Sequence, residues 1–302
     1  MDIYQCDFFL RAMAAGALCG VMCPLVGVFV VARRFAFLAD ALGHVSLTGV
    51  AVGLVLGIAP GIPAMAVVLA AAFAAEWLRQ KERFYAEAFL AVVMAGGLAL
   101  GVILISKSRG FGADLAGYLF GSLLTVTVQD LYLILGLAAG GVLVILFLYR
   151  SLFALALDEE YARSAGFPVP AVNAAFMVVA AAVVAMAIRA VGVLLAGALV
   201  VVPVLIAVRV NRSFRGVTVT AALTGAVLVI GGLHLSYALD LPPGPAVVLL
   251  GIAVLAGAAL VQQAMQFKSD GSKPYLGGQE VARAGGSGHP ADQAVTRGDL
   301  RP

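Results

Sequence analysis

The chain has 302 residues, of which 63% are hydrophobic and 12% charged, with a formal net charge of +3 and a mean hydropathy of +1.06. A soluble domain is typically about 45–50% apolar and about 25% charged, so these proportions exclude an ordinary globular core and describe an all-α, polytopic membrane protein. In such a chain, charges are informative by position rather than by sum.

The first apolar run carries Cys19 and Cys23, with Cys6 just before it. An odd number of cysteines in and beside a bilayer span does not make a disulfide framework. Cys19 and Cys23 share a helical face, so a soft-metal pair is conceivable, but buried cysteines more often pack as small hydrophobes. The run is too long for the apolar region of a cleavable signal peptide, and none is expected. A span needs about 20 mostly apolar residues. Candidates fall near 9–32, 41–59, 62–79, 88–106, 131–149, 171–188, 191–209, 216–238 and 245–266. The second and seventh carry breakers or polar residues, so the expectation is eight or nine helices.

Basic residues set the orientation. Arg33 and Arg34, then Arg79, Lys81 and Arg83, then Arg150 and Arg163, then Arg209, Arg212 and Arg215, then Lys268, all fall on one side of nine crossings. That side is expected to be the cytoplasm, with the amino terminus outside and the carboxyl terminus inside. The opposite loops hold only Lys107, Arg109 and Arg189. Arg189 is expected to extend to the outer headgroups.

Four stretches break the pattern. Residues 111–130, with Tyr118 and Phe120, are half apolar and too short to span; they read as a re-entrant or interfacial segment on the outer side. Residues 151–168 read as a cytoplasmic excursion with a short amphipathic helix. Asp158, Glu159 and Glu160 crowd its middle, Arg163 follows, and Gly166 and Pro168 end it. It is either a solvated loop or a docking helix for a cytoplasmic partner. Pro203 inside an apolar run predicts a kink or two short helices. Asp240, Pro242, Pro243, Gly244 and Pro245 predict an ordered break before the last span. The expected domains are a transmembrane domain over 1–267 and a disordered cytoplasmic tail over 268–302, glycine-rich and without an apolar cluster. His289 in that tail is given no role.

No catalytic set is present: no HExxH, no GxSxG and no phosphate-cradling glycine-rich loop ending in Lys-Ser or Lys-Thr. If ATP drives transport, the ATPase is another chain. The stretch DALGHVSLTGVAVG, Asp40 to Gly53, is different. On a helix, Asp40 and His44 share one face, with Cβ atoms about 5–6 Å apart. His44 alone would read as a packed histidine. With Asp40 one turn before it, both groups are costly inside a membrane, and a functional pair is favoured. Carboxylate and imidazole together suit zinc, manganese or ferrous iron. Two ligands do not fill a coordination sphere, so the rest would come from water, other helices or a second copy of the chain. His234, in GGLHLSYALD near an outer helix end, is either a second candidate ligand, at the entry, or simply an interfacial histidine.

The segment RRFAFLADALGHVSLTGVAVG, 33–53, resembles the signature of permease subunits of bacterial zinc/manganese ABC importers, the ZnuB/MntB type. Further blocks match in order: DLAGYLFGSLLTVTVQDL, LDEEYARSAGF, VGVLLAGALVVVPVLIAVRV and LSYALDLPPGPAVVLL. The resemblance covers roughly 9–266. It implies a non-enzymatic transporter subunit of the inner membrane, paired with a second copy of itself, bound inside to ABC ATPase subunits and served outside by a metal-binding protein. It implies no nucleic-acid partner and no bound cofactor besides the transported ion. Carried over residue by residue, Asp40 and His44 lie along the translocation path. Asp158, Glu159, Glu160, Arg163 and Gly166 form the ATPase-coupling helix. His234 departs from the family's aromatic at that place. The rival readings are a siderophore- or cobalamin-type ABC permease, a secondary metal carrier working without ATP, and an intramembrane metalloenzyme, for which a third ligand and a general base are lacking.

Overall fold

The computed structural model describes residues 7–81, 86–107 and 126–270. These form α1 (Asp7–Ala32), α2 (Leu38–Leu56), α3 (Gly61–Lys81), α4 (Ala86–Lys107), α5 (Val128–Leu157), α6 (Glu159–Ser164), α7 (Val169–Val191), α8 (Val193–Val210), α9 (Phe214–Leu239) and α10 (Pro243–Asp270). Among the described residues, nine helices are long and apolar enough to cross a bilayer; the six-residue α6 is the exception. The expected outer segment, apart from the start of α5, lies outside the described residues, as do Cys6, Arg83, Arg109, His289 and the tail beyond Asp270.

Every long helix is apolar around most of its circumference, so burial and not amphipathicity distinguishes inner from outer helices. In α1 and α7, 67% of the most apolar window is buried, against 22% in α4 and α5. The inner helices build one core around Met22, Phe29, Leu38, Leu42, Phe176, Leu195 and Leu199, in which Cys19 and Cys23 are fully buried. α1 packs on α9, α8 and α5, while α2 packs chiefly on α4 and α3. The α1–α9 seam is close because small residues face each other: a Cβ added to Gly20 would lie 2.7 Å from the carbonyl oxygen of Gly225. The chain divides at Leu260, and in the second unit the described residues are the last turns of α10, to Asp270.

One expectation is corrected and another is narrowed. Residues 151–157 are not part of a loop: α5 runs 30 residues to Leu157, because the apolar LFALAL carries the helix past Arg150. The excursion shrinks to 158–168. Pro203 lies inside a single helix, α8, and does not divide it. Proline removes one backbone hydrogen bond, and packing of α8 against α1 and α9 keeps the segment helical across the gap. The proline-rich stretch near 240 is the expected ordered break: Asp240 caps α9 in the left-handed region (φ 52°), Leu241 N–H donates to the Ser236 carbonyl at 2.9 Å, and α10 starts at Pro243.

Candidate metal site

α1 ends in a tight turn, with Arg34 in the left-handed region (φ 56°) and Phe35 N–H donating to the Val30 carbonyl at 2.9 Å. Three residues later α2 begins, which brings Asp40 into its first turn and His44 one turn on. The other faces of α2 are taken up by close helix contacts. Thr48 donates to the Gly97 carbonyl of α4 at 2.6 Å, and Gly49 lies against the Pro63–Ala64 backbone of α3. The remaining face meets the junction of α7 and α8.

That junction is one residue long. Gly192 (φ 86°, ψ 166°) ends α7 and starts α8, a conformation that a side chain would strain. Directly beyond it, Val193 lies 2.9 Å from where a Cβ on Gly43 would be, with Ile188 of α7 at 3.9 Å. One turn into α8, Gly197 has no side chain where the Asp40 carboxylate sits: a Cβ there would collide with its Oδ1. Asp40 is therefore held in a notch in α8 that only glycine leaves open.

His44 is half-buried, and its Nδ1 is buried with no hydrogen-bond partner among the described residues. An unmet polar atom of this kind costs roughly 1–3 kcal/mol. One carboxylate and one imidazole nitrogen form a donor set suited to first-row divalent ions. Among the described residues, no group of three His, Cys, Asp or Glu side chains is placed to hold a metal. Asp40 and His44 could supply two ligands at most, and any others would have to come from elsewhere; Cys19 and Cys23 are buried core residues.

The other candidates lie apart from this pair. His234 is on the α1–α9 seam, its Nδ1 2.8 Å from the Ile230 carbonyl and its ring edge-on to Phe9 at 5.8 Å. Arg189 Nη2 lies 2.7 Å from Asp130 Oδ1 at the start of α5, and its side chain remains 63% exposed. Asp130 also forms a capping box with Thr127, which fixes that helix start.

The short helix α6 is built to hold its shape at a surface. Asp158 caps it, accepting from Glu160 N–H at 2.7 Å and Tyr161 N–H at 3.1 Å. Arg163 bridges back to Glu159 at 3.3 Å. Gly166 (φ 83°) turns the chain out of the helix, and Phe167 N–H closes on the Ala162 carbonyl at 3.1 Å. Ala162 is fully buried against the bundle while Tyr161 is exposed. Four residues separate this helix from α7.

Sequence reasoning missed Gly192, Val193 and Gly197. Their only signal was VGVLLAG, whose two glycines five residues apart cannot be assigned to a partner without the tertiary contact.

The sequence profile described as the ABC 3 transport family matches residues 5–262. The chain belongs to that family. It is a multi-pass membrane subunit of an ABC transporter and not an enzyme. A zinc uptake system membrane protein, ZnuB of Haemophilus influenzae, is 31% identical over 80% of this chain and 93% of its own length. A manganese transport system membrane protein, MntC of Halalkalibacterium halodurans, is 28% identical over 83% and 86%. The solved structure of PsaBC from Streptococcus pneumoniae in complex with a Fab superposes with a TM-score of 0.78 at 25% identity, covering 88% of this chain and 97% of that one. The resemblance to zinc/manganese ABC permeases is borne out, and the all-helical architecture with it.

Proposed function

We propose that this chain forms the membrane path of an ATP-driven importer for a divalent transition metal, zinc or manganese, with Asp40 and His44 as its ligands. The observation that carries this reading is the buried, unpartnered His44 Nδ1 one turn from a carboxylate seated against Gly197. The names of the zinc and manganese relatives support the cargo. The ion is substrate and not a resident cofactor. A site with two protein ligands binds weakly enough to release what it carries, and the neutral imidazole is the form that ligates.

The chain has no nucleotide-binding motif, so a separate ABC ATPase supplies the energy. In this reading the exposed, capped α6 is the element it grips, through Asp158, Glu159, Glu160, Arg163 and Gly166. Closure of the ATPase then switches the path from outward- to inward-facing. A second copy of the chain completes the pore, and an extracytoplasmic metal-binding protein delivers the ion. The permease domain is residues 1–267 and the tail 268–302. The basic side faces the cytoplasm across a bacterial inner membrane, with the amino terminus outside and the carboxyl terminus inside. His234 is left out of the proposed path.

The test is growth under metal depletion with elemental analysis of cells carrying the intact chain, Asp40→Ala or His44→Ala. Selective loss of one metal, with the variants present in the membrane at normal amounts, supports the pair and names the cargo. Unchanged metal content at that expression removes the pair from the path.

A further inference from the structure

The turn between α1 and α2 is tied to a helix well removed in sequence. The Arg33 guanidinium donates to the side-chain oxygen of Asn173, in the first turns of α7, and lies over the Phe176 ring, 5.7 Å from its centroid. Asn173 is fully buried and Arg33 half-buried. The two are 140 residues apart in sequence. Arg33 also lines a small cavity with Val30, Phe35, Phe176 and Met177. A charged donor on a buried amide is among the stronger non-covalent links, and a planar cation stacked on an aromatic ring adds to it.

The position of this link in the chain gives it a consequence. Asn173 follows the end of α6 at Ser164 by nine residues, and α7 begins at Val169. Arg33 precedes Asp40 by seven residues, with only the turn and the start of α2 between them. Few joints therefore separate the ATPase-facing helix from the ligand pair: α6, the base of α7, Arg33 and α2. α7 also meets α2 directly toward its far end, where Ile188 lies near Gly43.

We propose that Arg33, held by Asn173, is a positioning residue for transport: it makes the start of α2, and with it Asp40, follow the base of α7 when α6 is displaced. This rests on the importer reading above. Without the link, the ATPase would still move α6, and the metal would still bind Asp40 and His44. The two events would no longer be coupled.

The test uses the complete transporter in liposomes, this chain with its ATPase and metal-binding partners, supplied with zinc or manganese. Uptake and ATP hydrolysis are measured together for the wild type, Arg33→Met, Asn173→Leu and the double variant. Equilibrium binding of the same ion to each is measured separately. Arg33→Met keeps the stem over Phe176 and changes a half-exposed side chain, so it keeps the proposal testable even if Asn173→Leu fails to fold. The expected result is a fall of about tenfold in ions moved per ATP with hydrolysis and ion binding within twofold of wild type. The double variant should be no worse than either single change, since both remove one link. Asn173→Asp, which still accepts from Arg33, should restore coupling. Unchanged ions per ATP in Arg33→Met overturns the proposal. So does loss of ion binding in step with uptake, which would make Arg33 merely structural for the site. If the wild-type complex moves neither ion on ATP, the importer reading itself fails, an outcome separate from these.

Discussion

Replacing Gly197 with alanine tests whether α8 sets the position of the Asp40 carboxylate. The added Cβ would occupy the place of Asp40 Oδ1. Carbon and oxygen need about 3.5 Å between centres, so the carboxylate must move by more than about 1 Å or swing to another rotamer. The α8 backbone is pinned against α1 by the approach of Gly27 to Val200, so α8 cannot simply step back and the Asp40 side chain must give. Metal–ligand distances tolerate only about 0.2 Å, and changes that disturb ligand orientation typically lower affinity by about 10–100-fold. The added methyl should also cost about 1–3 kcal/mol of packing energy. Equilibrium binding of zinc or manganese to the purified chain, alongside its thermal midpoint, separates the two effects. Expected is an affinity loss in that range with the protein still folded. Binding within twofold of wild type, where Asp40→Ala abolishes it, would refute the notch as what positions Asp40.

Gly192→Ala places a side chain at φ 86°, which should cost about 1–3 kcal/mol of backbone strain; a drop in thermal midpoint together with metal uptake is expected. Asp158→Ala removes the cap on Glu160 and Tyr161, worth about 1 kcal/mol, and less ATPase should co-purify with the chain. Asp130→Asn breaks the pair with Arg189 but keeps a cap acceptor for Thr127; because the arginine is largely exposed, the loss should be under about 1 kcal/mol. It should shrink further in high salt, and a thermal-shift series across salt concentrations reads it directly.

The spans were legible because a bilayer imposes one length on every crossing helix, and apolar runs such as 171–188 record that length whatever they pack against. The helix ends were less so. α5 continues beyond Arg150 because its continuation is also apolar, and a positive charge marks a membrane surface without ending a helix. At Pro203 the sequence leaves a kink and a division both open, because the penalty of a lost hydrogen bond is local, while the packing that offsets it is not. At the site, Asp40 and His44 could be paired from their spacing alone, since i and i+4 share a face whatever surrounds them. Gly197 could not. Its meaning is a contact across more than 150 residues of chain, and a missing side chain leaves no chemical signature. Arg33 was counted as one of many cytoplasmic charges, and only the fold shows that its partner is a buried asparagine.

The two ends of α7 bear on the start of α2 from different directions. Its base holds Arg33 through Asn173; its other end presents Ile188 to Gly43 and turns at Gly192 into the α8 segment that seats Asp40. At about 1.5 Å per residue, the 23 residues of α7 span about 34 Å. A tilt of about 5° then moves one end by about 3 Å relative to the other. Metal–ligand distances are fixed to tenths of an ångström, so in the importer reading proposed above a tilt of that size would be more than enough to disturb a site at Asp40 and His44. A push at α6 would then reach the start of α2 through both ends of α7. On that proposal the site would be emptied by moving its walls, the glycine notch in α8 among them, without breaking a helix.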